Sequence, residues 1–226
     1  MRGALAALVV AISLGAGSAH AEPAEEAVLR TFEDYRNALQ DRQGDIAGFL
    51  VTAETLAFYD SGAKAALSAG PDALAEMPLV QQLLALRLRQ AVPADRLKTM
   101  SAEEVIGLSV DQGLVNSQGL RGLRLGEVQI QGDVALAPQI DPWGRDIGVT
   151  WRFRKTQGNW RVDLRPTLMA ANAMLVTMQR ERGIPTRDFL LGLVQASTGQ
   201  RADDSLFVPP MSGEERLNET APPRNQ

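Results

Sequence analysis

The clearest pattern in the sequence is a strict alternation of apolar and polar residues over positions 149–164. A period of two is typical of a β-strand with one buried and one solvated face. A Gln-Gly dipeptide interrupts the alternation and is typical of a two-residue turn, which sets Phe153 opposite Val162 and Trp151 opposite Leu164. The pattern therefore predicts a β-hairpin whose apolar side chains share one face.

Before this hairpin, apolar residues recur at spacings of three and four, which is typical of helices. We expect an amphipathic helix over 23–43, ended by Gly44, and a second helical stretch over 45–69. In a third helix, over 78–91, the leucines cover too broad an arc for one apolar face, which predicts burial on two sides. Ser101-Ala-Glu-Glu104 has the pattern of a capping box and predicts the start of another short helix.

After Gly113 glycines become frequent and the period falls to two, so strands are predicted to begin there. A hairpin is expected over 128–136, before the one that ends at Leu164. Helices return over 166–182 and 186–196. The charged, proline-containing segment 201–226 is predicted to be a mostly flexible tail, with 206–208 as the part that packs on the domain.

The first residues have the pattern of a secretory signal peptide. Arg2 precedes an apolar run, and Ala19-His20-Ala21 supplies the small residues that a signal peptidase accepts. The run is shorter than the roughly 20 residues of a bilayer-spanning helix. The sequence thus predicts a signal peptide over 1–21, cleaved after Ala21, and a soluble periplasmic or secreted chain with no integral membrane segment. The remaining residues up to 200 are expected to form one domain.

The composition restricts the chemistry of this mature chain. The sequence has one histidine and no cysteine, and the histidine lies in the predicted signal peptide. Nucleophile–histidine pairs, thiolate or imidazole zinc sites and haem ligation by histidine are therefore excluded, and we expect neither a cofactor nor a metal. The net charge of the full sequence, −4, argues against nucleic acid as a partner.

Two sequence phrases resemble the hairpins of the nuclear-transport-factor-2-like, or cystatin-like, superfamily. They are Val-Gln-Ile-Gln-Gly-Asp-Val-Ala at 128–135 and Trp-Arg-Phe-Arg-Lys-Thr-Gln-Gly-Asn-Trp-Arg-Val-Asp-Leu at 151–164. The opening helix with Phe32 and Tyr35 is similar to that of the same superfamily. The resemblance covers residues 24–180.

This resemblance implies an α+β fold in which N-terminal helices pack on a curved antiparallel sheet and form a cone around an apolar pocket. The long helical insertion over 70–113 departs from the smallest members, and a C-terminal helix follows the sheet. The superfamily includes isomerases, dehydratases, cyclases and pure binding domains, so this fold does not fix a function.

The resemblance makes six residues candidates for a ligand pocket. Tyr35 and Tyr59 lie on predicted inward helix faces and Asp60 follows directly, so an isomerase or dehydratase would use a carboxylate and a phenol for proton transfer on a small apolar substrate. Trp151, Phe153 and Trp160 are the candidate walls. The alternative is that these aromatic residues are simply core.

The other face of the hairpin carries four arginines, Arg152, Arg154, Arg161 and Arg165, with Asp163 as the one acid among them. The register sets Arg154 opposite Arg161, and like charges in that position destabilise a sheet. Asp203, Asp204, Glu214 or Glu215, a second subunit, an anionic ligand or plain solvent would offset them. We therefore expect a binding or protein-interaction module of the bacterial envelope. The partner on the arginine face would be a second copy of the chain, forming a homodimer, or an envelope protein. The alternative function is the cofactor-independent isomerase or dehydratase.

Overall fold

The computed structural model of the protein describes residues 23–111, 122 and 124–210. Over these ranges a group of helices is followed by an antiparallel sheet and then by two further helices, so the predicted α+β class is confirmed. The helices before the sheet are α1 (Ala24–Gln40), α2 (Gly44–Phe49), α3 (Ala53–Ser68), α4 (Pro71–Ala75), α5 (Leu79–Ala91), α6 (Ala94–Leu97) and α7 (Ala102–Asp111). The strands are β1 (Arg124–Leu125), β2 (Gln129–Gln131), β3 (Val134–Ile140), β4 (Asp146–Thr156) and β5 (Asn159–Val162). The last elements are α8 (Arg165–Arg182), α9 (Thr186–Thr198) and a short 3-10 helix (Asp204–Phe207).

The sheet is curled, and its strands follow the order β1-β3-β4-β5. Strand β2 also pairs with β3, on the same edge as β1. The outer edge of β5 is covered by the chain between α2 and α3. There Val51 forms a parallel bridge with Val162, whose amide donates to the Leu50 carbonyl at 2.8 Å and whose carbonyl accepts from Thr52 at 3.0 Å. The N-terminal helices are thus joined to the last strand by main-chain hydrogen bonds.

The predicted hairpin of β4 and β5 is confirmed at its centre. Phe153 pairs with Val162, and both residues of the turn have positive φ, 50° at Gln157 and 83° at Gly158, as a two-residue turn of type I′ requires. The expected pair of Trp151 and Leu164 is not formed. The Leu164 amide instead donates to the Thr55 hydroxyl at 3.1 Å, and the residue caps α8, because the proline in the first turn of that helix favours helix initiation there.

Most of the helix predictions are confirmed, with one correction at Gly44. This glycine begins α2 instead of ending α1, because the chain turns at Arg42, whose φ is +56°. Gly44 lies against Gly107 of α7, so closely that a Cβ built on it would lie 1.7 Å from the Gly107 Cα. The capping box is formed, since the Ser101 amide donates to Glu104 at 2.8 Å and the Glu104 amide donates to the Ser101 hydroxyl at 3.2 Å.

The core lies between the inner face of the sheet and the helices. On the sheet, Ala135, Ala137, Phe153 and Val162 are completely buried. Helix α5 is buried on two sides as predicted, since it packs between α3 and the pair α8 and α9. By contrast, α8 buries only Leu175 and leaves its other apolar residues half-buried or exposed.

The predicted signal peptide lies outside the described residues, as does the chain after residue 210. The first part of the predicted tail is packed on the domain. Phe207 is buried, and the Leu206 carbonyl accepts a hydrogen bond from Arg89 at 2.9 Å. The side chain of Asp204 forms an ion pair with Arg187. Residues 201–207 therefore belong to the folded domain.

Candidate ligand-binding site

The sheet side of the predicted cone pocket is occupied by aromatic side chains. Tyr35 and Phe153 are buried, and the Trp151 ring makes edge contacts with Phe32 and Tyr35 at centroid distances of 5.0 and 6.0 Å. The Trp151 indole N–H donates to the Gln139 side-chain oxygen at 2.7 Å. Burial, and to a lesser degree the nearby Tyr59 phenol, raise the pKa of Tyr35 well above its usual value. These aromatic residues form packed core with a satisfied indole.

Trp160 lies elsewhere, at the turn end of the hairpin. It is buried beside the first residues of α1 and borders a surface recess of about 500 Å³ together with Thr31, Phe49 and Leu50. The Lys155 ammonium lies 5.9 Å from the centre of its ring. The six predicted pocket residues are therefore not gathered around one space.

Tyr59 and Asp60 are separated by the geometry of the helix. Adjacent positions of a helix point about 100° apart. The Asp60 carboxylate reaches Lys64 at 2.6 Å on the solvent side, where its side chain is 48% exposed. Tyr59 faces inward, and burial raises its pKa to about 12. The acid and the phenol of the predicted proton-transfer pair thus do not converge.

A small cavity lies beside Tyr59, on the helical side of the fold. Its volume is about 120 Å³, and helices α3, α5, α7 and α8 contribute its walls. An apolar surface groove of about 380 Å³ adjoins it. The described residues lining the cavity are Phe58, Tyr59, Val80, Leu83, Leu84, Arg87, Ser109 and Leu168. Those lining the groove are Phe58, Pro78, Val80, Gln81, Arg165, Leu168, Met169 and Asn172.

Three side chains, Phe58, Val80 and Leu168, border both spaces, so the cavity and the groove are neighbours. The groove is mostly apolar, and its mouth is marked by Met169, which is 74% exposed. Concave, mainly apolar surfaces with a few polar groups are the usual form of a small-molecule site. Together we call these two spaces the α3/α5/α8 site.

The polar groups of the cavity are a phenol, a hydroxyl and a guanidinium. Tyr59 is a neutral donor at physiological pH, and burial raises its pKa further, to about 12. The Ser109 hydroxyl donates to the Val105 carbonyl at 2.8 Å. Arg87 is only 6% exposed, and its Nε donates to the Ser197 hydroxyl at 2.9 Å. Burial lowers the pKa of Arg87 to about 10, which still leaves the guanidinium charged at neutral pH.

Arg87 was not among the residues predicted for the pocket, although the sequence around it indicates that it is buried. Arg87 and Arg89 lie within a run of leucines, in a helix predicted to be buried on two sides. A charged residue in such a helix has to be buried, and a buried charge needs a partner or a function. This signal is local, whereas the walls of the cavity come from four separate elements.

The predicted arginine face is offset mainly by two acids of the same chain. Asp163, whose side chain is fully buried, lies 2.9 Å from Arg165 and 3.6 Å from Arg152. Glu54 lies 3.4 Å from Arg154. Arg161, which is paired with Arg154 across the strands as predicted, donates to the Phe49 carbonyl.

These partners differ from the acids suggested by the sequence. Asp204 is paired with Arg187, and Asp203 accepts hydrogen bonds from Ser205, while Glu214 and Glu215 lie outside the described residues. The pKa of Asp163 reflects the actual arrangement. Burial opposes its ionisation, but hydrogen bonds from the Arg165 side chain and amide, with the charges of Arg165 and Arg152, together lower it.

Membrane crossing and metal binding can be assessed for the described residues. No helix within those ranges combines the length and the hydropathy needed to cross a bilayer. Among those residues the carboxylates are the candidate ligands, and nowhere in the described ranges do they form a group of three or more that could hold a metal ion.

No protein-family model, curated protein or solved structure matches the chain. The geometry of its own residues is therefore what indicates its function.

Proposed function

We propose that this protein is a binding module that takes a small, mainly apolar ligand in the α3/α5/α8 site. The observation that carries the proposal is the apolar groove beside a cavity lined by a buried phenol and a buried guanidinium. Apolar walls supply affinity, and a few fixed polar groups orient a ligand. The cone architecture of the nuclear-transport-factor-2-like superfamily is part of this proposal, and the curled sheet with its helical cover is compatible with it.

The alternative, an acid–base isomerase or dehydratase, lacks support at the predicted residues. Such an enzyme needs a carboxylate and a phenol within hydrogen-bond reach of one bound atom. Asp60 is turned away from Tyr59 and held by Lys64. Binding without chemistry is therefore the simpler function for this site.

A neutral apolar dye, N-phenyl-1-naphthylamine, tests the binding proposal. We expect its fluorescence to rise on addition of the protein and its affinity to fall roughly five- to tenfold in Met169→Glu, because a charge at the mouth of the groove replaces an apolar contact. Met174→Glu is the matched control, since Met174 is 58% exposed on the same helix and does not line the groove. Absence of dye binding, or equal affinity of the two variants, would refute the location of the site.

Export from the cytoplasm to the bacterial envelope is proposed from the sequence of the first 21 residues. The test is to express the full chain in a bacterium with a periplasm and to sequence the N-terminus of the periplasmic product. We expect it to begin at Glu22. A product that retains Met1 and remains in the cytoplasm would contradict the proposal.

A further inference from the structure

Arg87 is the most unusual residue of the α3/α5/α8 site because it is a buried cation without an acidic partner among the described residues. A guanidinium has five N–H donors. Within the described part of the chain, the hydrogen bond of Arg87 is the one from Nε to the Ser197 hydroxyl, which is neutral. Burying a charge without a counter-charge is costly, so such a group is retained for a reason.

Arg89, two residues further on the same helix, provides a comparison, because it is an arginine with a structural role. It is similarly buried, at 8% exposure. Its Nε and Nη2 donate to the Ala66 and Ala65 carbonyls at 2.8 and 2.9 Å, at the C-terminal end of α3, and its Nη1 donates to the Leu206 carbonyl. Main-chain carbonyls thus accept from all three nitrogens of Arg89, whereas in the described ranges they accept from none of Arg87.

Other polar groups along the groove are already engaged. Arg165 forms an ion pair with Asp163, and its Nε and Nη2 both donate to that carboxylate. The Asn172 side-chain oxygen accepts from the Val80 amide at 3.2 Å, and Gln81 donates to Ser61. Among the described residues, Arg87 is therefore the cation of the site that is left to meet a ligand.

We propose that the ligand is an amphiphile with a single carboxylate, which lies in the cavity against Arg87 and Tyr59 while its apolar tail follows the groove past Leu168 and Met169. This inference rests on the proposed binding function and names the class of ligand. One guanidinium balances one negative charge, and a neutral phenol donates one further hydrogen bond to the same anion. A phosphate dianion would need more donors than the described walls provide.

The test compares decanoate with decan-1-ol, which has the same chain length and no charge. Affinities are measured by displacement of the neutral dye from the protein and from Arg87→Met, Arg87→Lys and Arg165→Met. We expect decanoate to bind the unmodified protein at least about tenfold more tightly than decan-1-ol. Arg87→Met should abolish this preference, and Arg165→Met should retain it. Arg87→Lys, which keeps the charge, should retain part of it.

Thermal unfolding supplies a second readout that does not depend on the ligand. Because no described backbone group depends on Arg87, Arg87→Met should unfold at or above the temperature of the unmodified protein, whereas Arg89→Met should unfold well below it. Loss of stability in Arg87→Met comparable with that in Arg89→Met would assign a structural role to Arg87 and overturn the inference.

The outcomes separate this inference from the proposed function. Equal affinity for decanoate and decan-1-ol in the unmodified protein would overturn the carboxylate and leave an apolar site. A preference for decanoate that persists in Arg87→Met would also overturn it, because another cation would then hold the head group. Failure of both probes and of the dye would remove the binding function itself.

Discussion

The contact between Gly44 and Gly107 gives the sharpest test of the helical packing. Substituting Gly44 by alanine places a methyl group 1.7 Å from the Gly107 Cα, 2.7 Å from its nitrogen and 2.9 Å from its carbonyl carbon. Ordinary van der Waals contact begins at 3.4 Å, so the distance between the new methyl group and the Gly107 Cα would have to double. No flexible side chain lies between the two backbones that could move away. Overpacking of this kind costs about 3 kcal/mol or more of unfolding free energy.

Two other glycines provide matched comparisons. A Cβ on Gly107 would lie 3.2 Å from the Gly44 Cα, which needs a shift of only a few tenths of an ångström. Gly107→Ala should therefore stay within about 1 kcal/mol of the unmodified protein. A Cβ added to Gly192, in α9, would meet nothing within 4 Å, so Gly192→Ala should gain about 0.5–1 kcal/mol from helix propensity.

Urea unfolding followed by circular dichroism, with a thermal melt as a second measure, would rank the three variants. For a chain of this size, about 3 kcal/mol corresponds to a fall in Tm of roughly 6–12 °C. We expect Gly44→Ala to be by far the least stable and Gly192→Ala to be the most stable. If Gly44→Ala and Gly107→Ala unfold at the same urea concentration, α2 and α7 do not meet at these two residues.

Three further predictions concern charges and caps. Asp163→Asn should lose about 3 kcal/mol at neutral pH because two arginines lose a buried counter-charge. The pKa of Asp163 is lower in the folded protein than its value of about 3.9 in the unfolded chain. Its stabilisation is therefore present above about pH 3.9 and is lost as the pH falls through the folded pKa. Asp163→Asn lacks this titration, so its free energy of unfolding should fall less steeply than that of the unmodified protein below about pH 4. Ser101→Ala should cost about 1 kcal/mol in urea unfolding, and a smaller effect would mean that the capping box contributes little. Glu54→Gln should change stability by less than about 1 kcal/mol, since both partners of its ion pair with Arg154 remain solvated; a larger loss would show a stronger coupling of α3 to the sheet.

Local patterns predicted the parts of the fold whose contacts are close in sequence. The pair Phe153 and Val162 follows from period two and a two-residue turn, and the capping box at Ser101 follows from four consecutive residues. The prediction for Leu164 was wrong because its partner, the Thr55 hydroxyl, lies in a distant helix. Periodicity also predicted the helix over 166–182, of which only Leu175 is buried, since a pattern does not say how much of a helix is covered.

The site was less predictable than the fold because it is formed by residues that are distant in sequence. Tyr59 was among the predicted pocket residues, and it does line a cavity. Trp151 and Trp160, which were expected to line the same pocket as Tyr59, lie at different positions along the sheet because the face of a sheet is longer than one pocket. The acid that offsets Arg154 is Glu54, which is 100 residues away in sequence. Contacts of this kind depend on how helices and sheet meet, which no short window of sequence records.

The strip of chain between α2 and α3 that covers the edge of β5 also has a consequence for the order of folding. The hydrogen bond between Leu164 and Thr55 joins residues separated by 109 positions, and the bridge at Val51 spans a similar distance. Closing so long a loop costs chain entropy before its contacts compensate, which slows folding. A nascent chain that has not yet reached residue 162 therefore cannot complete its sheet, and the strip between α2 and α3 lacks its strand partner until then.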